Sequence, residues 1–293
     1  MKYGMFTASS PTLTLEEVAP KLQELGYDGW ELRVVDEPPN PMGMDFWHGN
    51  KSTVPASTFS ENIARIRKLG ADHNLELFNL GTYVRSDNDW ADIEQAVANA
   101  VAIGVPSLRI NVPEYSSDKA FKPIWDKARE DFKRIEELAA KNNVRALIET
   151  HMNTICPSAS SVRMMVEGLD PKHIGVIHDL GNMVHEGFEN YRMGLEMLGD
   201  YLALVHLKNT TSYPFKTLPD NTVEWRHKFW PMHQGVANVR AMIGALLDTG
   251  YDGWLSFEDF STQQKIDDRL KFNIEFVKQI VEEETAKRTN VQE

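Results

Sequence analysis

The chain has 293 residues, of which 42% are hydrophobic and 25% charged, a soluble globular composition long enough for one large α/β barrel or two ordinary domains. A single cysteine, Cys156, excludes an internal disulfide, and a formal net charge of −12 opposes binding to phosphate backbones, so nucleic acid is not an expected partner. No stretch approaches the ~18 apolar residues of a membrane span, and the opening "MKYGMFTASS" lacks the apolar run of a signal peptide, so a cytoplasmic chain with no membrane partner is expected.

Taken in chain order, short apolar or alternating segments read as strands, and amphipathic stretches between them read as helices. "KYGMFT" is the first strand, and "LTLEEVAPKLQELG" the first helix, with Thr14 and Glu17 at capping-box spacing and Gly26 at its end. "GWELRVV" and "LELFNLG" follow as strands two and three. "DWADIEQAVANAVAIG" is a helix that again stops on a glycine. "SLRINVP" precedes the long helix "FKPIWDKAREDFKRIEELAAKNN". "VRALIETHM", "HIGVIHDLGN" and "LALVHLKNT" are strands five to seven, and the helix "GVANVRAMIGALLDTG" leads into the last strand, "GWLSFEDF". Eight strand-helix repeats over this length predict a single (β/α)8 TIM barrel, with residues 1–282 as the barrel domain and 283–293 as a polar tail that frays. The motif "GYDGW", at 26–30 and again at 250–254, reads as the join where a helix stops, the chain turns and a barrel strand begins.

In such a barrel strand side chains alternate between the interior and the helix layer, and the C-terminal strand ends form the active-site rim. In "RALIETHM" the apolar Ala146 and Ile148 take the helix side, which turns Glu149 and His151 inward. "GVIHDLGN" places Asp179 at the rim with His178 facing outward. "LALVHLKN" turns His206 and Lys208 inward and leaves Ala203, Val205 and Leu207 to the helices, while "WLSFEDF" turns Glu258 inward above Ser256. Three carboxylates and an imidazole on one rim repel one another unless a cation sits among them, so a divalent metal ion is expected there. The oxygen-rich set leans towards Mn²⁺, and Mg²⁺, Zn²⁺, Fe²⁺ and Co²⁺ also suit it.

From "GYDGWELR" through "LIETH", "HDLGN" and "VHLKN" to "GYDGWLSFEDF", the chain resembles the xylose-isomerase-like TIM barrels, a group that includes ketose 3-epimerases, hydroxypyruvate isomerases, inosose dehydratases and the endonuclease IV group. The resemblance implies metal ligands at Glu149, Asp179, His206 and Glu258. It further implies a sugar isomerase or epimerase that removes a proton beside a carbonyl to give an enediolate, with Glu149 and Glu258 as the proton-transfer pair. Family members commonly associate through barrel faces, which implies a homo-oligomer. A carboxylate bound to a dication is a weak base, however, and His151, two residues after Glu149, is the better candidate near neutral pH. Where the epimerases usually carry a histidine three residues after the aspartate, this chain has Asn182, and Lys208 stands near the strand-seven histidine in place of their arginine. Lys208 is suited to hold a developing oxyanion or to protonate a leaving oxygen. These departures raise a second reading, a lyase or dehydratase resembling inosose dehydratases or the enzymes that eliminate from 3-keto glycosides. A non-catalytic sugar-binding protein is the alternative of another class, and a DNA-repair nuclease is opposed by the acidic charge.

The expected substrate is a small sugar or cyclitol, without phosphate because no Gly-rich cradle follows the last strands. Two segments are expected to roof the site as loops: "DEPPNPMGMDFWHGNKST", with Trp47 and His48, and "TTSYPFKTLPDNTVEWRHKFWPMHQG", with Trp225, Arg226, His227, Trp230 and His233. Together with Asn182, and with Glu31, Arg33, Arg109 and Asn111 on strands two and four, Trp47, His48, Arg226 and His227 are the expected substrate contacts.

Overall fold

Thr14 caps the first helix as its spacing predicts: its hydroxyl accepts from the Glu17 amide while the Glu17 carboxylate takes the Thr14 amide. Helix and strand then alternate through the computed structural model, which describes residues 1–37 and 43–290. The first half comprises β1 (Lys2–Phe6), α1 (Leu15–Leu25), β2 (Gly29–Val34), α2 (Phe59–Asp72), β3 (Glu76–Thr82), α3 (Trp90–Ile103), β4 (Ser107–Arg109), α4 (Phe121–Asn142) and β5 (Arg145–Glu149). The second comprises α5 (Ala159–Val166), β6 (Ile174–Asp179), α6 (Asn182–His185), α7 (Tyr191–Leu198), β7 (Leu202–Leu207), β8 (Asn209–Thr217), β9 (Val223–Trp230), α8 (Val239–Asp248), β10 (Trp254–Phe257) and α9 (Ile266–Thr289). Eight parallel strands close in the order β1-β10-β7-β6-β5-β4-β3-β2, a single (β/α)8 barrel. No helix among the described residues is long and apolar enough to cross a membrane.

The outward-facing residues, such as Trp30, Leu32, Ile148 and Val205, form the large core beneath the helices. The interior is layered differently. Its N-terminal end is plugged by Phe78, Leu147, Ile177 and Leu204, with Trp254 stacked on Phe78 at 4.2 Å. Polar and charged side chains fill the barrel above that plug, which places the chemistry at the C-terminal strand ends.

Four differences from the sequence reading have physical causes. Residues 210–235 are not an irregular loop: β8 and β9 pair antiparallel into a hairpin, as the β-branched and aromatic alternation of "VEWRHKFW" favours, with Asn221 at φ 68° in the turn. Ala203 does not face the helices, because the ladder slips between Val176 and Ile177 so that Leu202 and Leu204 are paired and Ala203 is skipped; it packs on the basal plug instead. The stretch read as a tail from residue 283 is helical to Thr289, held by Arg240, Lys287 and Arg288 around Glu284. The two "GYDGW" joins stop their helices with Gly26 and Gly250 at φ 78° and 73°, but Trp30 then points into the helix-layer core and Trp254 into the barrel. Part of the segment after β2, residues 38–42, lies outside the described residues.

Gly29 opens β2 where a Cβ would come within 2.3 Å of the Glu76 carbonyl oxygen, a backbone atom that cannot step aside. Gly29→Ala is therefore expected to destabilise the barrel by about 1–3 kcal/mol, read as a lowered urea midpoint at unchanged slope.

Candidate metal centre and active-site cavity

β5, β6, β7 and the residue after β10 each deliver one group to the same point above the barrel interior. Glu149, Asp179, His206 and Glu258 are all buried, and one ligand atom from each lies within 4.8 Å of the others. His206 is the pivot. Its Nε2 donates to Glu31 Oε2 at 2.9 Å, and Glu31 is fixed in turn by Ser256 Oγ and Asn79 Nδ2, both at 2.8 Å. Nδ1 faces Glu149 at 3.2 Å, Glu258 at 3.3 Å and Asp179 at 3.5 Å, so with Nδ1 given to a metal the proton of the neutral ring would stay on Nε2 towards Glu31. Phe6 stacks on the imidazole at 5.8 Å and holds its plane.

Charge decides what the cluster can hold. Glu31, Glu149, Asp179 and Glu258 bring four buried carboxylates against two fixed cations, Arg109 and Lys208. Arg109 bonds Glu149 and, through Nε, the Thr82 carbonyl at 2.8 Å; Lys208 bonds Glu258 and lies 2.6 Å from Asp179. The shortfall of two positive charges is what one dication supplies once His206 is neutral, so the donor set fits a divalent metal. Without metal the protons redistribute accordingly. Burial opposes ionisation of Glu149, but Arg109, His206 and Lys208 hold its carboxyl well below the usual range. Glu258, also opposed by burial, is drawn down to about 2 by Lys208 and His206. Burial instead raises Asp179. For His206 burial disfavours the cation, yet Glu31, Glu258 and the hydrogen bonds to Asp179 and Glu149 hold its pKa well above the usual value.

A cavity of about 550 Å³ opens over this cluster, with Glu149, Glu258, Lys208, Arg109, Asn182 and His151 in its lining. His151 Nδ1 lies 2.7 Å from the Met152 carbonyl, an acceptor, so that nitrogen carries the proton and Nε2 keeps its lone pair. Asn182 gives its amide hydrogens to Thr150 O and Glu149 Oε1, at 3.1 and 3.3 Å, while its buried Oδ1 has no hydrogen-bond partner among the described residues.

A family model for the xylose isomerase-like TIM barrel matches residues 19–280. The chain belongs to this family. Among curated relatives it is 24% identical over 139 residues to an inosose dehydratase of Geobacillus thermodenitrificans, and 22% identical over 158 residues to one of Bacillus cereus. These matches cover 46% of both chains in the first case, and 51% of this chain and 52% of the relative in the second, so the chain spans about half the length of the curated relatives it matches. Similar solved folds include the 3-keto-D-glucoside 4-epimerase YcjR of E. coli, with a TM-score of 0.70, 14% identity and coverage of 95% of this chain and 99% of that one. D-psicose 3-epimerase of Clostridium cellulolyticum H10 gives 0.69 at 15% identity, covering 96% and 99%. The zinc-binding IOLI protein gives 0.66 at 16%, covering 98% and 97%.

Against this xylose isomerase-like frame, the expected substrate residues divide. Trp47, Arg109, Asn111 and Asn182 line the cavity. Glu31 does not: it is fully buried one layer below and serves His206. Arg33 is also buried. It bonds Glu37, Thr53 and the Trp47 carbonyl, and its Nε meets Tyr83 Oη at 3.1 Å, so it clamps the segment that carries Trp47. His48 is turned aside to Asp45 at 3.0 Å. On the hairpin, Arg226 is exposed and stacks on Phe215, His227 bonds Ser212 Oγ at 3.0 Å, and Trp225 is 60% exposed; none of the three is in the cavity lining. Phe229, on the same strand face as His227 but nearer the barrel, reaches the cavity, as does Phe260 after β10. The sequence reading passed over both; the signal was an aromatic two residues beyond a rim ligand, in "EDF", and one at the hairpin base.

Glu31→Gln, which keeps the shape but weakens the anchor of His206, is expected to lower metal affinity by about 10- to 100-fold, measured by calorimetry on protein with unchanged circular dichroism. Because the metal must displace the proton held on His206, affinity is expected to rise with pH by up to about tenfold per unit through neutrality. Titrations in two buffers of different ionisation heat check this by the proton released.

Proposed function

We propose that the chain is a divalent-metal-dependent enzyme that removes a proton beside the carbonyl of a keto sugar or cyclitol and then expels an oxygen substituent from the next carbon. Glu149, Asp179, His206 and Glu258 would hold the metal, with the three-carboxylate shell favouring Mn²⁺. A metal held there would supply Lewis-acid polarisation of the substrate carbonyl. The observation that carries the reading is the division of labour in the cavity: both metal-set glutamates have depressed pKa values, whereas His151 offers a free Nε2. A single base serves elimination, in which the C–H pair becomes a double bond as the neighbouring C–O bond breaks. Lys208, tied to Glu258 and Asp179, keeps a fixed positive charge at the floor where negative charge develops on oxygen. The partial match to inosose dehydratases supports the same order of preference.

A non-phosphorylated substrate fits the pairing of the cavity's cations, since Arg85, Arg109 and Lys208 each already have a carboxylate partner in Glu114, Glu149 and Glu258. Isomerisation or epimerisation is the second reading. The meeting of Glu149 and Glu258 at one cluster favours it, because two carboxylates can exchange a proton across two faces of a sugar, and the structural neighbours include epimerases.

Proton NMR in D2O, with Mn²⁺-loaded protein and a panel of ketoses, inososes and 3-keto glycosides, separates the readings. Elimination is expected, seen as loss of water or of the substituent. Deuterium entering beside the carbonyl with every substituent retained would instead establish the isomerase or epimerase, and absence of both with metal bound would leave a sugar-binding protein. His151→Ala is expected to lower turnover by about 10²- to 10⁴-fold while the protein still binds stoichiometric metal.

A further inference from the structure

Three of the four phenyl, phenol or indole rings that line the cavity stand together on one side of it, the fourth being Tyr83 after β3. Trp47 follows β2, Phe229 ends the β8–β9 hairpin inserted after β7, and Phe260 follows β10, so all three rise from the arc around β1. Asn111 and Glu114 follow β4, and His151, Asn153 and Thr154 follow β5, on the opposite arc. The aromatic side is a pre-built surface rather than three separate rings. Phe260 lies 5.1 Å from Phe229, 5.2 Å from Trp47 and 5.1 Å from Phe46, and Trp47 lies 6.1 Å from Phe229. Phe6 and Ala8 back Phe260 from below, and Arg33 holds the Trp47 carbonyl at 2.9 Å. Among the described residues Trp47 remains 37% exposed at the mouth.

This wall starts at the reacting floor. Lys208 Nζ lies 5.5 Å from the Phe260 ring and 5.9 Å from that of Phe229. One face of a sugar ring covers one aromatic ring, whereas here three continue outward, and the cavity of about 550 Å³ is the size that takes a drug-sized ligand rather than a bare monosaccharide.

We propose that the substrate is a keto sugar bearing an aromatic substituent, attached through oxygen, which lies on Trp47, Phe229 and Phe260 and is the group expelled. The inference rests on the elimination proposed above. In the step, the C–H bond beside the carbonyl breaks and its proton passes to His151 Nε2. The electron pair forms the carbon-carbon double bond, and the C–O bond to the substituent breaks with its pair staying on the aryl oxygen. A phenolate leaves without prior protonation, which suits a floor whose one lysine is engaged by Glu258 and Asp179. No oxidant or reductant is consumed.

The test uses Mn²⁺-loaded protein and two unoxidised probes that cannot react, phenyl and methyl β-D-glucoside, compared by calorimetry. The phenyl compound is expected to bind at least about tenfold more tightly, as burial of one ring predicts. Trp47→Ala is expected to shrink that ratio towards one, and Trp47→Phe to retain most of it. The corresponding phenyl and methyl 3-keto-glucosides then report turnover, with a similar phenyl preference expected in kcat/KM. Equal binding of the two glucosides, or a phenyl preference untouched in Trp47→Ala, would overturn the proposal. If equal binding accompanies elimination from unsubstituted inososes, the proposed reaction stands and the aromatic substrate alone is lost. A phenyl preference in binding with no reaction of any keto sugar would leave the aromatic site in place and remove the reaction, and with it the assignment of the substituent as leaving group.

Discussion

Everything at the rim depends on one electrostatic constraint: four carboxylates are buried together where water cannot screen them. In a low-dielectric interior such a set is untenable unless cations and hydrogen bonds compensate it. Arg109 and Lys208 supply part of that compensation, and they do so from β4 and from the end of β7, on either side of the Glu149 and Asp179 strands. The remainder defines the ligand the site takes. The charge of the side chains thus suits a dication before any reaction is considered. The same set restricts the acid-base chemistry, because carboxylates committed to cations are poor bases, and in the reaction proposed above the work would fall to an imidazole outside the set.

The barrel supplies the geometry for this by stacking unlike layers. Aromatic and aliphatic residues seal the bottom, so the charged layer has a dry floor. Phe6, Glu31, Asn79 and Ser256 form a middle layer whose function is to aim His206. The ligands come above, and the cavity walls above them. Each layer is set by strand alternation and by register between neighbouring strands.

How much of this the sequence discloses follows from the same layering. Alternation along a single strand shows which residues face inward, and the ends of "LIETH", "HDLGN", "VHLKN" and "SFEDF" were therefore legible as a converging set. Depth was not legible. Glu31 shares its inward direction with Glu258, but the β2–β3 register shifts between Trp30 and Glu31, and only the paired structure reveals that Glu31 lies beneath the ligands. The repeated "GYDGW" illustrates the same gap: identical turn chemistry starts two strands whose tryptophans face opposite ways, because the phase of a strand is fixed by its neighbours and not by its entry turn. Arg33 and His48 stand outside the cavity lining for another reason, as each has a local partner in its own segment that a linear reading had no means to favour. Phe229 and Phe260 were hidden by their ordinariness, since an aromatic residue in a strand or after one is usually packing.

The anchoring of His206 on Glu31, and of Glu31 on Asn79 and Ser256, ties β7, β2, β3 and β10 together through the lumen. For anyone redesigning this protein, that cross-brace divides the molecule into a fixed chassis and an exchangeable top. Loops above the ligand plane can be grafted or diversified without touching what points the imidazole. A library that randomised Asn79 or Ser256 as if they were filler would instead loosen the ligand that every new loop still requires.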